Sequence, residues 1–384
     1  MTERIYLDNA ATSWPKPPAV LEALVAFYRD LGGAAGRGAH SASQQSDVLV
    51  TTCRQAIAEL IRAQVDDQVV FAHNGTDALN LGIHGLLRPG DHVVVSSLEH
   101  NSVLRPVAAF AERQGGSYSL VSADERGVVS PANIQAAIGP KTRLVCLTHA
   151  SNVTGVLQPV AEVGAVCREA GVSFLIDAAQ TIGRVPIDVR RLQCDLLAAA
   201  GHKGLLGPLG TAFLFVSGRI AQQLQSLRQG GTGTETTAEQ QPATYPHRLE
   251  AGNLNVGGIA ALLAGIHYVK NIGVEAIGRH ELALVEQLFA GLEGCPGVEL
   301  LARRTEPRVA IASLTFAEHD VHDAAAILDS AFGIQARAGL HCAPHALSGG
   351  PHHESVATLR LSPGWQTTSE QIQRAVEAIR EIAS

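Results

Sequence analysis

Six short runs of apolar residues limit what this chain can become. Val69-Val70-Phe71-Ala72-His73, His92-Val93-Val94-Val95-Ser96, Arg143 to Thr148, Val172 to Asp177, Asp195 to Ala200 and Thr211 to Val216 are each almost continuously hydrophobic. A strand with one wet face alternates apolar and polar residues, whereas a strand buried on both faces does not. From Val69 onward the pattern repeats strand, loop and helix. The expectation is an α/β fold with a mostly parallel sheet covered by helices on both sides. Ligands of such sheets bind beyond the carboxyl ends of the strands. His100, Asn152, Asp177 and Lys203 all fall at or just past those ends.

The run Asp195 to Ala200 leads directly into Gly201-His202-Lys203-Gly204. A lysine at the end of a buried strand is poorly hydrated, which disfavours its charged form. An uncharged lysine attacks aldehydes, which is the requirement for a Schiff base. A solvated lysine at a strand end is the alternative, and other residues bear on the choice. Asn74-Gly75-Thr76-Asp77 turns into a helix expected from about Ala78, and its backbone N–H groups suit a phosphate. Thr and Asp are also ordinary helix caps. Asp177 ends a strand where it would pair a pyridinium nitrogen, or cap the next helix. Gln180 would donate to a ring phenolate oxygen, His100 would stack on the ring or move protons, and His202 would reach the phosphate. Together these match the needs of pyridoxal 5'-phosphate.

Elsewhere the prolines of Trp14-Pro15-Lys16-Pro17-Pro18 predict a fixed loop. Helices are expected over about Ala19 to Arg29 and Ser43 to Ala63, separated by the glycine-rich loop Gly32 to His40. Gly230-Gly231-Thr232-Gly233-Thr234 reads as a mobile, anion-tolerant loop. Helices follow over about Gly258 to Lys270 and Val274 to Leu292. Strands near Val309 to Phe316, Ile334 to Arg337 and Val356 to Leu361, with a closing helix over Ser369 to Ile382, suggest a smaller α+β domain. A chain of 384 residues exceeds one small core. The expected division is a large domain over 17–270 and a small one from 1–16 and 271–384.

With 29 basic and 36 acidic residues the formal charge is -7, which offers no general attraction to nucleic acid or an anionic membrane. No apolar run approaches the roughly 18 residues of a membrane span. Met1 to Tyr6 lacks the pattern of a signal peptide, so a cytoplasmic location is expected. None of the six cysteines forms a C-x-x-C pair, and no metal is expected. Cys146 reads as a core filler, and Cys53, Cys167, Cys194 and Cys295 lack polar surroundings. Cys342 differs, because it stands between His341 and Pro344 in a polar segment.

Tyr6-Leu7-Asp8-Asn9-Ala10-Ala11, Glu99-His100-Asn101, Ser151-Asn152-Val153-Thr154-Gly155, Asp177-Ala178-Ala179-Gln180 and Gly201-His202-Lys203 stand in the order found in class V aminotransferase-fold enzymes. Within that group the chain resembles the cysteine desulfurases over nearly its whole length. Arg337-Ala338-Gly339-Leu340-His341-Cys342-Ala343-Pro344 is similar to the active-cysteine segment of the Suf-type branch. The resemblance implies a pyridoxal phosphate-dependent transferase of fold type I, with a large sheet of seven-stranded type. It implies a homodimer that takes L-cysteine, forms a persulfide on Cys342 and passes sulfur to an acceptor protein or a reductant.

Carried over residue by residue, the resemblance implies Lys203 for the Schiff base, Asp177 for the ring nitrogen, Gln180 for the phenolate oxygen and His100 for stacking. Asn152 lies near the phenolate and the substrate. Thr76 and His202 would hold the phosphate, and Thr232 or its neighbours would reach the phosphate of the other subunit. Arg360 would clamp the substrate carboxylate, with Asn9 also on the substrate side. Cys342 requires thiolate character, which a nearby cation or His341 would favour. Two departures stand out. Ala200 replaces a serine of many relatives, which predicts phosphate anchoring weaker by about 1 kcal/mol, and Leu340 replaces a histidine of some. A selenocysteine lyase or other β-lyase, a class V aminotransferase, and a cofactor-binding scaffold without turnover remain open on the sequence alone.

Overall fold

The structure, a computed structural model, describes residues 4–235, 237–301, 306–347 and 356–384. The first three residues, part of the N-terminal segment considered above, lie outside that range.

The chain begins with β1 (Ile5–Tyr6), α1 (Pro18–Ala26), α2 (Ser41–Leu60), β2 (Gln68–Ala72), α3 (Gly75–Leu86) and β3 (His92–Ser96). It continues through α4 (Asn101–Gln114), β4 (Ser117–Val121), α5 (Pro131–Ala137), β5 (Thr142–Thr148), α6 (Val160–Ala170), β6 (Ser173–Asp177), β7 (Leu196–Ala200) and β8 (Ala212–Val216). Two long helices follow, α7 (Val256–Ile272) and α8 (Val274–Leu292). The last part holds β9 (Val298–Leu301), β10 (Ala312–Phe316), α9 (Val321–Phe332), β11 (Ile334–Gln335), β12 (Arg337–Gly339), β13 (Thr358–Leu361) and α10 (Ser369–Ala383).

Seven strands form one sheet in the order β2-β8-β7-β6-β5-β3-β4. Its pairs run parallel from β7 to β4, and β8 is antiparallel to both of its neighbours. Two apolar clusters lie on its opposite faces. This is why β6, β7 and β8 are buried at every position and carry no alternation. The expected mostly parallel sheet is present.

A smaller sheet has the order β12-β13-β10-β9 and a core shared with α8, α9 and α10. The first strand belongs to this end of the molecule. Ile5 and Tyr6 pair in parallel with Ile334 and Gln335, and Asp8 bridges Ser362. The chain then crosses to the large sheet, where Ser13 N–H donates to the carbonyl of His202 at 3.0 Å. Among the described residues no helix is long and apolar enough to cross a membrane.

Candidate active site

The carboxyl ends of β3, β5, β6 and β7 open on a cavity of about 220 Å³. Thr76, His100, Asn152, Asp177, Gln180, His202, Lys203 and Arg360 all line it. Residues up to about 280 positions apart in sequence thus share one space.

The lysine's position follows from its neighbours. Gly201 ends β7 because a Cβ there would collide with Thr211, and a Cβ on Gly204 would collide with the carbonyl of Ile182. Glycine on each side lets the backbone turn within a packed wall, so the remaining exposure of Lys203 is into the cavity. Burial brings its ammonium down to about 8; Asp177 opposes the shift, while Arg360, Arg184 and Arg337 add to it. Asp177 is buried, and burial raises its carboxyl although Ala179 N–H donates to Oδ1 at 2.9 Å.

At the start of α3 the helix cap is Asn74, whose Oδ1 accepts from Asp77 N–H at 2.8 Å. Helix α3 therefore starts at Gly75, three residues before the expected Ala78, and Thr76 sits in its first turn. His100 caps α4 in the same way, with Nδ1 accepting from Ser102 N–H at 3.0 Å. That bond leaves the proton of the neutral ring on Nε2. Burial, with Lys203 and the nearby guanidinium groups, holds His100 down to about 4. Ser102 Oγ lies 2.8 Å from His100 Nδ1 and 2.7 Å from Thr76 Oγ1, which joins the two predicted residues. Ser102 lines the cavity and was not singled out by sequence reasoning; its only signal was its place in the first turn after a strand end. His202 is held near 4, mainly by burial, and its backbone carbonyl accepts from Lys16 Nζ at 2.9 Å.

The small sheet supplies the other wall. Arg360 is buried on β13, donating through Nη1 to the carbonyl of Asn152 at 3.0 Å and through Nη2 to Asp8 at 2.8 Å. Arg337 on β12 lines the cavity, and its Nη2 stands 3.4 Å from Cys342 Sγ. Cys342 is half-buried beside the cavity, and its carbonyl accepts from Asn101 N–H at 2.7 Å. His341 and Cys342 both take left-handed backbone, at φ 53° and 60°, a conformation that non-glycine residues seldom adopt outside functional loops. The His341 ring faces Thr358, 2.8 Å from its hydroxyl, and burial holds it down to about 3. Of the two groups considered above as support for the thiolate, the cation at hand is a guanidinium, and the imidazole is neutral and turned away.

Two predicted residues stand apart from the cavity. Asn9 is buried with its amide engaged, donating to Ser362 O at 3.1 Å and accepting from Trp14 N–H at 3.1 Å. Thr232 lies in a separate cavity with Arg37, whose guanidinium donates to the carbonyl of Gly231 at 2.8 Å. The two glycine-rich loops read from the sequence therefore meet each other.

The residues present fit pyridoxal phosphate. Asp177 faces the cavity, and among the described residues Gln180 Oε1 and His202 Nδ1 are buried polar atoms without a partner, while Gln180 Nε2, the group expected to donate to a phenolate oxygen, already donates to the carbonyl of Ala10 at 3.0 Å. Buried polar atoms are normally satisfied, and a polar ligand seated here would supply what they lack.

Comparison with known proteins agrees. The family model described as aminotransferase class-V matches residues 5–375. A probable cysteine desulfurase of Methanothermobacter thermautotrophicus is 37% identical over 100% of this chain and 96% of its own length. A cysteine desulfurase of an Enterobacter species is 31% identical over 98% of this chain and 93% of its own. Among solved structures, the apo cysteine desulfurase of Thermococcus onnurineus superposes with a TM-score of 0.90 at 30% identity, covering 99% of this chain and 94% of that one. The Escherichia coli cysteine desulfurase CsdA gives 0.86 at 26% identity, with 98% and 94% covered.

Proposed function

We propose that this chain, which belongs to the aminotransferase class-V family and is a pyridoxal phosphate-dependent cysteine desulfurase, takes the sulfur of L-cysteine onto Cys342 and releases L-alanine. One observation carries the reading. Lys203, Asp177 and Arg360 wall a single cavity, and the loop bearing Cys342 stands at its edge.

The cofactor, when bound, supplies the electron sink that makes a substrate Cα proton removable. Lys203 would hold it and then, with its amine freed, take that proton on Nζ. An ammonium group near 8 suits both duties at neutral pH. The Asp177 carboxylate would keep the ring nitrogen protonated, His100 would stack on the ring face, and Gln180 and Asn152 would face the phenolate edge. Thr76 and His202 would hold the phosphate at the start of α3. Arg360 would bind the substrate carboxylate, since its planar fork keeps donors beyond those given to Asp8 and Asn152. We place Asn9 on the substrate side indirectly, through the position it gives Ala10 and Ala11 on the cavity wall.

We also propose residues 17–270 as the cofactor domain, with 1–16 and 271–384 as the domain carrying the sulfur. Pairing of β1 with β11 supports joining the N-terminal residues to the second unit. A homodimer is proposed from the family, with Thr232 reaching the partner's phosphate site. The sulfur would pass to an acceptor protein or a reductant. Six unpaired cysteines suit a reducing compartment, which supports a cytoplasmic location.

The test measures alanine and sulfide released from L-cysteine with a thiol reductant, for wild type beside Cys342→Ala. Equal yields from wild type and none from the variant are expected. Activity retained by the variant would make the enzyme a direct β-lyase, the class that includes selenocysteine lyases. Turnover of an amino acid with a keto acid, without sulfide, would make it an aminotransferase.

A further inference from the structure

Arg337 faces two ways. It lines the cavity, and its Nη2 contacts Cys342 Sγ. It also lies directly opposite Arg360 in the antiparallel pairing of β12 with β13. Like charges opposed across strands are destabilising, and a cation drawn from water needs a counter-charge. Arg360 has one in Asp8. Among the described residues no carboxylate stands within ion-pair distance of Arg337, and its polar contact is the sulfur of Cys342.

We propose that Arg337 is a catalytic residue that carries the negative charge on sulfur throughout transfer, first on Cys342 Sγ and then on the outer sulfur of the persulfide. This rests on the desulfurase reading above and adds a residue to it. The charges balance. Cys342 enters as thiolate and L-cysteine as thiol. A bond forms between Cys342 Sγ and the substrate sulfur while the substrate C–S bond breaks. The electron pair of that bond remains with the carbon, which gains the proton that began on the substrate thiol and becomes the methyl of alanine. The persulfide keeps the single negative charge of the original thiolate, so no outside oxidant or reductant enters this half of the reaction.

In that step the charge moves outward by one S–S bond, about 2 Å. A guanidinium spreads five N–H donors over a rigid plane, so one donor can stay on Sγ while another meets the outer sulfur. A point-charge ammonium reaches only one position at a time. The carbonyl of Cys342, fixed by Asn101 N–H, keeps the sulfur within that reach.

The experiment is iodoacetamide labelling of the holoenzyme at pH 7, read peptide by peptide by mass spectrometry, for wild type, Arg337→Gln and Arg337→Lys. Cys295, half-buried and outside the cavity, serves as the internal reference. Labelling of Cys342 relative to Cys295 should fall about tenfold in Arg337→Gln, the scale of one charge-assisted hydrogen bond, and recover in part in Arg337→Lys. After one turnover of L-cysteine the Cys342 persulfide should also be shorter-lived in Arg337→Gln. Equal labelling in wild type and Arg337→Gln overturns the proposal. If the core thiols Cys53 and Cys146 become reactive in that variant, its fold is lost, and Arg337→Met, which keeps an apolar stem, decides by the same ratio. Labelling needs no turnover, so the two readings fail separately. A wild type that releases no alanine would sink the desulfurase assignment, whereas normal alanine release with unchanged labelling would sink the role of Arg337 alone.

Discussion

The two walls of the cavity handle charge in opposite ways. The wall built on the large sheet presents groups whose ionisation burial can tune. Lys203 is brought down to about 8, His100 and His202 to about 4, and Asp177 is raised. The wall built on the small sheet presents two guanidinium groups, Arg337 and Arg360, which stay charged under any burial found in proteins. One side is suited to passing protons and the other to holding anions. The cysteines show the same contrast. Burial pushes Cys53 and Cys167 up to about 12 and raises Cys146 and Cys194 well above the usual thiol range, which disfavours their thiolates. Cys342 stands half-buried against a cation. Depth therefore brings down the ammonium of Lys203, whereas Cys342 sits at a shallow position beside an arginine.

The largest effect should come from the proton-handling wall. Lys203→Ala should reduce alanine production from L-cysteine by about three orders of magnitude or more, while still binding pyridoxal phosphate measurably by fluorescence titration. Substantial residual turnover would mean that another base does the work, and the division between the walls would fail. On the anion-holding wall, Arg360→Gln should raise KM for L-cysteine by about 30- to 100-fold with a smaller change in kcat, read from initial rates. A drop confined to kcat would place Arg360 outside substrate binding.

Glu99 sharpens the comparison from beneath. It is fully buried, accepts from Ser96 Oγ at 2.5 Å and Thr148 N–H at 2.9 Å, and burial raises it to about 8. Between its ordinary value of 4.5 and about 8 the folded protein binds a proton that the unfolded chain releases. Stability from this residue is therefore present at acid pH and lost as pH rises through that window. Glu99→Gln should flatten the fall in stability between pH 5 and pH 8 by on the order of 2 kcal/mol, measured by urea unfolding at both pH values. A profile unchanged from wild type would show that Glu99 is ionised in the fold. The smallest effect concerns Ala200, the last residue of β7, which lines the cavity and whose Cβ lies 3.7 Å from where a Cβ on Gly75 would sit. Ala200→Ser should tighten pyridoxal phosphate binding by about fivefold, the gain from one neutral hydrogen bond.

The large sheet was legible because its strands are buried on both faces. The expected strand over His92 to Ser96 agrees with β3 residue for residue, and the other five agree within a residue or two. Helix α8 also agrees, at Val274–Leu292. Strand β4 went unread because it lies at the sheet edge and leaves Tyr118 and Leu120 exposed, so no apolar run marks it. Strand β9 is the corresponding edge of the small sheet. At the site, the residues at strand ends could be found because topology places those ends together. The contact of Arg337 with Cys342 could not, since it depends on two successive left-handed residues turning the loop back. Nor could the orientation of His341, which Thr358 fixes from the neighbouring strand.

The pairing of β1 with β11 gives the protein a history as well as a shape. Ile5 leaves the ribosome roughly 330 residues before its partner Ile334. At about 5–20 residues per second, the opening strand waits on the order of 15–60 s for something to pair with. Arg360 arrives later still, and Asp8 meets it only then. The large sheet can assemble during synthesis, but the cavity acquires its second wall only once β12 and β13 have been made. The residues proposed to hold the cofactor are therefore made before those proposed to move sulfur.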